Sequence, residues 1–357
     1  MLIRKFLLPP NIIAIFVLLC LAFSSSQNDY KPVIIYDDAI TIPCLEKLAS
    51  LGASKYIIVY QNDCDPESQK TGVINFKNVA AFIIKAYGPN PEGWGILDFE
   101  NPFDDFLKKD KNTPEYKNTI LTMVECINKI KLYFPKVKWT YYGIPALPYY
   151  LGSETWATAT ADTKNDEIKR QLIIHSPILL ACDWLAPSIY NQVGDSKNNG
   201  LPTPHIRAST AAWSFARTKM CVDFQQLAGK TNVVMPFVSP LYMPGGGAPA
   251  FSPIPDDIIL QDTISPAMKA GATGFAIWTA GSYFIKQVTS KLNNNTEGEG
   301  NQKIAEHWSK VLGLPIEQIE SPLSVDKLSN MIANKVSYMA LEISKQKIQN
   351  QPKAISK

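Results

Sequence analysis

The sequence has few of the residues that metal and nucleotide sites need. Its three histidines, His175, His205 and His307, lie far apart, and no two cysteines are separated by two residues. A zinc site is therefore not expected. Neither glycine-rich phosphate-binding pattern is present, because the run Gly245–Gly247 is flanked by prolines and no helix start follows it. We predict a protein without a metal or cofactor.

An excess of positive charge is also lacking. The chain has 35 Lys and Arg against 32 Asp and Glu, a formal net charge of +3. Such a balance does not favour nucleic acid as a partner, although it leaves a locally basic groove open. We expect no nucleic-acid partner and a monomeric protein.

Long hydrophobic runs are absent after the N-terminus. Arg4 and Lys5 precede an apolar stretch, Asn11–Phe23, and three serines end at Ser26. The apolar run is short for a membrane span, and this order is typical of a secretory signal peptide. We predict cleavage near Ser26, which leaves a net charge of about +1, no stable membrane anchor, and a secreted protein or one in the lysosomal or endomembrane lumen.

Cysteine usage follows from that compartment. Five cysteines remain after the predicted cleavage: Cys44, Cys64, Cys126, Cys182 and Cys221. An oxidising lumen favours two disulfides and one free thiol. The pairs Cys182–Cys221 and, second, Cys44–Cys64 each span one strand–helix unit and are the first candidates. Asn294 begins an N-x-T sequon and predicts a glycoprotein.

Short apolar runs alternate with longer helical patterns along most of the chain. The predicted strands are Val33–Tyr36, Tyr56–Tyr60, Gly95–Phe99, Trp139–Gly143, Pro187–Tyr190, Val233–Val238 and Gly274–Trp278. The predicted helices are Glu115–Tyr133, Asp162–Ile174, Ser209–Leu227 and Asp256–Ala270. Apolar strands that each precede a helix indicate a parallel sheet covered by helices.

The near-even spacing favours an α/β fold of the irregular (β/α) barrel type, TIM-barrel-like, with seven or eight strands. Seven strands are recognised. An eighth would lie near Val79–Ile84, and without it the barrel is irregular. The predicted organisation is a signal peptide at 1–26, a (β/α) barrel at 30–312 and a helical tail at 313–357. Within 303–357, helices are predicted at Lys303–Leu312 and Val325–Ile348, the latter packed on the barrel.

Two carboxylates mark the predicted active face. Asp98 and Glu100 follow the apolar run of one strand, and their i, i+2 spacing turns both side chains to the same side. Because two buried like charges repel, one of them is expected to hold a proton at neutral pH, as a general acid must. Asp104 and Asp105 are interpreted as acids of a loop or helix start.

Aromatic residues follow other strands. Tyr190 and Tyr242 come just after apolar runs, and Trp278 ends the last strand. At the carboxyl ends of barrel strands, polar and aromatic side chains face the active site. Aromatic rings suit sugars, whose C–H faces are apolar.

These segments together resemble the hyaluronidase family of glycoside hydrolases. The resemblance is carried, in order, by GILDFE around Asp98 and Glu100, by WTYYGIPALPYY from Trp139, by DWLAPSIY ending at Tyr190, by the segment with Tyr242, and by GATGFAIW ending at Trp278. It implies a seven-stranded barrel and substrate-assisted retention, in which the 2-acetamido group of the sugar is the nucleophile.

The resemblance also implies a role for each residue. Glu100 is the proton donor, Asp98 with Tyr190 and Tyr242 orients the acetamido group, and Trp278 stacks on the sugar, with Tyr142 as a further substrate-binding residue. The chain departs from the family at Phe99, where Trp is usual, in lacking any cysteine after Cys221, and in showing no basic groove in its composition.

The function predicted is secreted cleavage of an N-acetylhexosamine polysaccharide such as hyaluronan or chondroitin. Two alternatives stay open. A chitinase-like glycosidase shares the acid-x-Glu pattern at a strand end, and a barrel that binds glycan without cleaving it would share the aromatic residues.

Overall fold

The protein was analysed as a computed structural model. It describes residues 33–36, 46, 48–190, 201–230, 233–242, 253–279, 309–310, 313–315, 318 and 322–349. The predicted signal peptide, Cys44, Gly245–Gly247, Asn294 and most of the predicted helix Lys303–Leu312 lie outside these residues. Contacts divide the chain into Met1–Lys31 and Pro32–Lys357, and the description concerns the second unit.

Two parallel sheets form the centre of the fold. The first has the order β2-β1-β9-β8, with β1 at Val33–Tyr36, β2 at Ser54–Lys55, β8 at Phe237–Val238 and β9 at Gly274–Ile277. The second has the order β3-β4-β5, with β3 at Ile57–Tyr60, β4 at Gly93–Asp98 and β5 at Val137–Tyr141. A separate antiparallel pair joins β6, Tyr150–Leu151, to β7, Glu154–Thr155.

The two sheets approach each other through single residue pairs. Parallel bridges join Tyr142 to Ala186, Leu185 to Val234 and Ser188 to Phe237. Segment 185–188 therefore lies between β5 and β8, where the sequence predicts a strand at Pro187–Tyr190. The fold is mixed α/β with parallel sheets, and in the described residues the strand ladders do not form a closed barrel.

Helices surround the sheets. Their bounds are α1 Gln61–Cys64, α2 Ser68–Thr71, α3 Phe76–Tyr87, α4 Phe103–Leu107, α5 Pro114–Tyr133, α6 Ala161–Ala181, α7 Pro204–Leu227, α8 Asp256–Ile259, α9 Ser265–Lys269 and α10 Pro322–Gln349. A π-helical turn, Leu260–Ile264, links α8 to α9. The four helices predicted between 115 and 270 are present, although the last is divided by this turn.

Threonine caps explain where the three long helices before the last strand begin. Thr113, Thr160 and Thr203 each accept a hydrogen bond at the side-chain oxygen from the backbone N–H three residues later. Such a cap satisfies an N–H that has no partner within the helix. Pro114 and Pro204 are the first residues of two of these helices. At this position the N–H that proline lacks would have no partner within the helix.

Val79–Ile84 is not the eighth strand that the sequence left open, because this segment lies inside helix α3. Val79, Ala80 and Ile83 are buried, and their spacing places them on one helical face. The Asn75 side chain caps the helix by accepting from the N–H of Lys77.

The C-terminal helix α10 packs on the core. Ile332, Val336, Met339 and Ile343 are buried in the cluster that contains residues of β1, β8 and β9. Their spacing of three or four matches the apolar positions predicted from the sequence. In the described part of the chain, no helix has the length and apolar character that crossing a membrane requires.

Candidate active site

The site lies where the parallel strands end. Asp98 is the last residue of β4, and Tyr142 and Trp278 directly follow β5 and β9. Tyr190 follows the bridged segment 185–188. A cavity of about 130 Å³ is lined by Ile58, Asp98, Glu100, Tyr142, Tyr190, Phe237 and Trp278. The structure therefore brings together five of the six residues expected at the site.

Strand alternation separates the two acids from the residue between them. Phe99 is buried in the core, where its ring lies 6.3 Å from that of Phe103 and 6.2 Å from that of Tyr141. Asp98 and Glu100 face the other way, into the cavity. The i, i+2 spacing thus places both carboxyl groups on one side, as the sequence predicts.

The backbone that carries Glu100 is held by a buried amide. The Nε2 group of Gln61 donates to the carbonyl oxygen of Asn101 and to the hydroxyl of Ser68, each at 2.8 Å. The N–H of Asp104 donates to the carbonyl of Glu100 at 2.7 Å. Sequence reasoning missed Gln61. Its position directly after the apolar strand Ile57–Tyr60 was a signal that its polar side chain would lie near the site.

Burial raises the pKa of Asp98 well above its ordinary value, and the nearby charges of Glu100 and Asp104 raise it further. Its Oδ1 atom is buried and accepts no hydrogen bond from the described residues. With no hydrogen bond to Oδ1 to stabilise the carboxylate, Asp98 keeps its proton to a higher pH than an exposed aspartic acid does.

Glu100 has a raised pKa as well. Partial desolvation is the main cause, and the charge of Asp104 is the second. Glu100 is more exposed than Asp98, so solvent moderates the effect. A glutamic acid that keeps its proton closer to neutral pH is suited to general acid catalysis.

Asp104 has a larger part in this site than its sequence position indicated. It lies in the first turn of helix α4, as expected of a helix-start acid, and it is exposed. Its charge nevertheless raises the pKa of both Asp98 and Glu100. Its own pKa is raised by desolvation and is lowered in part by Lys108 and Arg217.

Three aromatic residues, Tyr142, Tyr190 and Trp278, line the cavity and are called its aromatic floor. The rings of Tyr190 and Trp278 stack with centroids 5.7 Å apart and planes at 26°. The ring of Tyr142 lies 6.1 Å from that of Tyr190. Phe237 meets Tyr142 and Tyr190 edge-on, at 4.9 and 6.3 Å. These rings therefore form one connected aromatic cluster in the lining of the cavity.

Two hydrogen bonds hold the floor in place. The indole N–H of Trp278 donates to the hydroxyl of Tyr60 at 3.1 Å, and the hydroxyl of Tyr142 donates to Ser188 at 3.2 Å. Tyr60 ends β3 and lies opposite Asp98 in the strand register. Sequence reasoning missed Tyr60, although it too is a tyrosine at the end of an apolar strand.

Tyr242, the sixth residue expected at the site, is not among the residues that line the cavity. It is 2% exposed and packs in the core cluster beside α10. Its hydroxyl has no hydrogen-bond partner among the described residues, and burial followed by the charge of Asp262 raises its pKa. Tyr242 follows β8 by four residues, and the intervening turn sends its side chain into the core.

Arg217 is a buried cation beside the site. Its guanidinium donates to the carbonyl oxygens of Gly143 and Pro145, in the segment that follows Tyr142. It also lies over the ring of Trp213, 5.3 Å from the centroid. Burial lowers its pKa to about 10, so it stays charged at neutral pH.

The predicted disulfides are not formed. Cys64, Cys126, Cys182 and Cys221 are free and buried. The pairing Cys182–Cys221 is wrong, as is the pairing of Cys64 with Cys44. Each of these thiols is buried in an apolar core cluster, and burial raises its pKa, to about 12 for Cys64 and Cys126. Within the described residues, no three His, Cys, Asp or Glu side chains are grouped to hold a metal.

Comparison with known proteins gives distant likenesses. No protein-family model and no curated protein match the chain. Bee venom hyaluronidase in a monoclinic crystal is similar at 16% identity over 83% of this chain and 99% of that chain, with a TM-score of 0.49. The same enzyme in complex with a hyaluronic acid tetramer is similar at 18% identity over 73% of this chain and 96% of that chain, with a TM-score of 0.46.

A third solved structure is the fructuronate-tagaturonate epimerase UxaE from Cohnella laeviribosi. It is similar at 8% identity over 91% of this chain and 74% of that chain, with a TM-score of 0.30. At these identities and TM-scores, the likenesses assign neither a family nor an activity to this chain. The functional conclusion depends on the residues of the site.

Proposed function

We propose that this protein is a glycoside hydrolase that cleaves N-acetylhexosamine-containing polysaccharides with retention of configuration. One observation carries the proposal: the carboxyl groups of Asp98 and Glu100 face an aromatic floor across one cavity at the ends of parallel strands. Glycosidases use positioned carboxyl groups, and aromatic rings bind the apolar faces of sugars. The motif order that resembles the hyaluronidase family supports the same reaction class.

Glu100 is the general acid of the proposed reaction. It transfers its proton to the glycosidic oxygen while the bond between that oxygen and the anomeric carbon breaks. Its raised pKa keeps the transferable proton available. After the leaving sugar departs, water attacks the anomeric carbon, the bond from that carbon to the acetamido oxygen breaks, and the acetamido group is restored. Glu100 as a carboxylate takes a proton from this water, which restores the acid.

The sugar supplies the nucleophile. The carbonyl oxygen of the 2-acetamido group forms a bond to the anomeric carbon, and positive charge develops on the amide nitrogen. In this proposal Asp98 accepts a hydrogen bond from the amide N–H, and the proposal is supported by its Oδ1 atom, which has no other donor among the described residues. The developing positive charge lowers the pKa of Asp98 in the transition state and favours its carboxylate.

The aromatic residues bind the sugar. Trp278 and Tyr190 form the stacked surface, and Tyr142 lies at its edge with its hydroxyl held by Ser188. We assign Tyr242 no role in this mechanism, because it is not among the described residues that line the cavity. In this proposal it packs in the core and does not make the substrate contact that the resemblance implies.

The proposal also includes the closure of the barrel and the compartment of the protein. We propose that the isolated bridges on either side of segment 185–188 complete a seven-stranded barrel. In such a barrel, Asp98, Glu100, Tyr142, Tyr190 and Trp278 would share the face at the carboxyl ends of the strands. Secretion or delivery to an endomembrane lumen is proposed from the apolar segment Asn11–Phe23 and its flanking residues.

The decisive variant is Glu100→Gln. Glutamine keeps the shape of the side chain and loses the transferable proton, so turnover of an N-acetylhexosamine polymer should fall by at least about 10²–10⁴-fold. The thermal midpoint and the affinity for oligosaccharides should stay close to those of the unchanged protein. Glu92→Gln is the matched control, because Glu92 is exposed just before β4, at the other end of that strand from the site.

Two results would contradict the proposal. Near-normal turnover by Glu100→Gln would remove Glu100 as the proton donor. An unchanged protein that binds such oligosaccharides tightly and cleaves none of them would indicate the alternative of a glycan-binding protein.

A further inference from the structure

We infer that the substrate carries no negative charge at the sugars next to the cleaved bond, so that this site takes an uncharged N-acetylhexosamine glycan rather than a uronic-acid polymer. The inference rests on the proposed function and concerns the same cavity. Three observations support it: the lining of the cavity, the state of the buried arginine, and the charges beside Glu100.

Among the residues that the structure describes, the lining of the cavity offers a substrate anion no cation. The seven described lining residues are two carboxylic acids, three aromatic residues with polar groups, and the apolar Ile58 and Phe237. No Lys, Arg or His is among them. Recognition of a sugar carboxylate commonly uses the paired N–H groups of arginine or the ammonium group of lysine.

Arg217 cannot serve this purpose. It is 6% exposed, and its guanidinium donates to the carbonyl oxygens of Gly143 and Pro145. It also packs over Trp213. A substrate carboxylate would have to displace these contacts to reach it.

The surface beside Glu100 is acidic. Asp104 and Asp105 are exposed there, and the nearest lysine in the sequence, Lys108, is paired with Asp105 at 2.9 Å. The next, Lys109, is paired with Glu115 at 2.8 Å. These carboxylates would therefore repel an anion beside the cavity, and both lysines are already paired with acids.

Like charges repel across several ångströms and are weakly screened in a cavity of low polarity, so a uronate next to the cleaved bond would be disfavoured.

A matched pair of substrates tests the charge alone. Hyaluronan hexasaccharide alternates N-acetylglucosamine with glucuronic acid, and its carboxyl-reduced form has the same linkages with neutral glucose. We expect kcat/KM for the reduced form to exceed that for native hyaluronan by at least about tenfold at low salt. Chitin hexasaccharide, which is neutral throughout, should be cleaved at least as well as native hyaluronan.

Salt and a surface variant sharpen the test. Added NaCl should reduce the difference between the two hyaluronan forms, because it screens the repulsion. Asp104→Asn should also reduce it by about two- to threefold, measured as a ratio so that effects on the catalytic step cancel. Asp166→Asn, an exposed acid on α6 with its own lysine partner at 3.7 Å, should leave the ratio unchanged.

The failures are distinguishable. Faster cleavage of native hyaluronan than of its reduced form would overturn the inference while supporting the proposed hydrolase. If no oligosaccharide is cleaved, binding of the same pair to the Glu100→Gln variant decides the question by calorimetry. Tighter binding of the reduced form supports the inference, and equal or weaker binding, or binding of neither, overturns it.

Discussion

The indole N–H of Trp278 donates a hydrogen bond to the hydroxyl of Tyr60 at 3.1 Å. This contact joins the residue after β9 to the last residue of β3, which are 218 positions apart in the chain. It fixes the plane of the tryptophan that stacks on Tyr190. The aromatic floor of the cavity therefore depends on a residue from each of several strands.

Tyr60→Phe should weaken glycan binding more than it slows the catalytic step. The change removes the acceptor and leaves a partly buried N–H without it, at a cost of about 1–2 kcal/mol. We expect an increase of about five- to tenfold in KM with a smaller change in kcat. Steady-state kinetics measures both. Tyr150→Phe, at an exposed tyrosine, should have no effect, and a Tyr60→Phe variant equal to it would contradict this role.

Asp104→Asn should shift the pH dependence of activity. The negative charge of Asp104 raises the pKa of Glu100, so neutralising it lowers that pKa. Because the general acid must be protonated, the alkaline limb of kcat/KM should move to lower pH. Asp105→Asn is the neighbouring control, and its profile should stay in place. A shift to higher pH in Asp104→Asn would refute the coupling.

Asp98→Asn should stabilise the fold while it slows the reaction. Burial raises the folded-state pKa of Asp98 above the value of about 3.9 in unfolded chains, so the folded state holds more protons between these two values. Its contribution to stability therefore falls as pH rises through this window.

Asparagine does not ionise, so the Asp98→Asn variant avoids this loss of stability. The free energy of unfolding at pH 7 should increase by on the order of 1 kcal/mol, and the difference should disappear below about pH 4. Urea unfolding at pH 4 and pH 7 measures it. A variant less stable than the unchanged protein at pH 7 would show that the Asp98 carboxylate is stabilised in the fold.

Arg217→Met should destabilise the protein by about 2–4 kcal/mol. The carbonyl oxygens of Gly143 and Pro145 would lose their donors, and each buried polar group without a partner costs about 1–3 kcal/mol. Arg217→Lys should recover part of this loss. Arg170→Met, which removes an ion pair between a half-exposed arginine and Glu167, should cost less than Arg217→Met, about 1 kcal/mol. Chemical denaturation compares all three, and equal losses for the two methionine variants would contradict the argument.

The sequence determined the acid pair and the periodic elements. Apolar runs with β-branched residues and the alternation along β4 place Asp98 and Glu100 on one side, because the strand period of two is a local property. Threonine caps and the spacing of apolar residues set the helices from 114 to 227 and the C-terminal helix for the same local reason.

Tertiary structure decided the rest of the site. Tyr60, Tyr190, Tyr242 and Trp278 all follow apolar runs, yet the packing brings Tyr60 under Trp278 and sends Tyr242 into the core. The free state of Cys182 and Cys221, and the attachment of Arg217 to the segment after Tyr142, likewise depend on how distant helices and strands pack. Spacing along the chain fixes which face a side chain takes within its own element, whereas its neighbours across the fold depend on contacts between elements far apart in sequence.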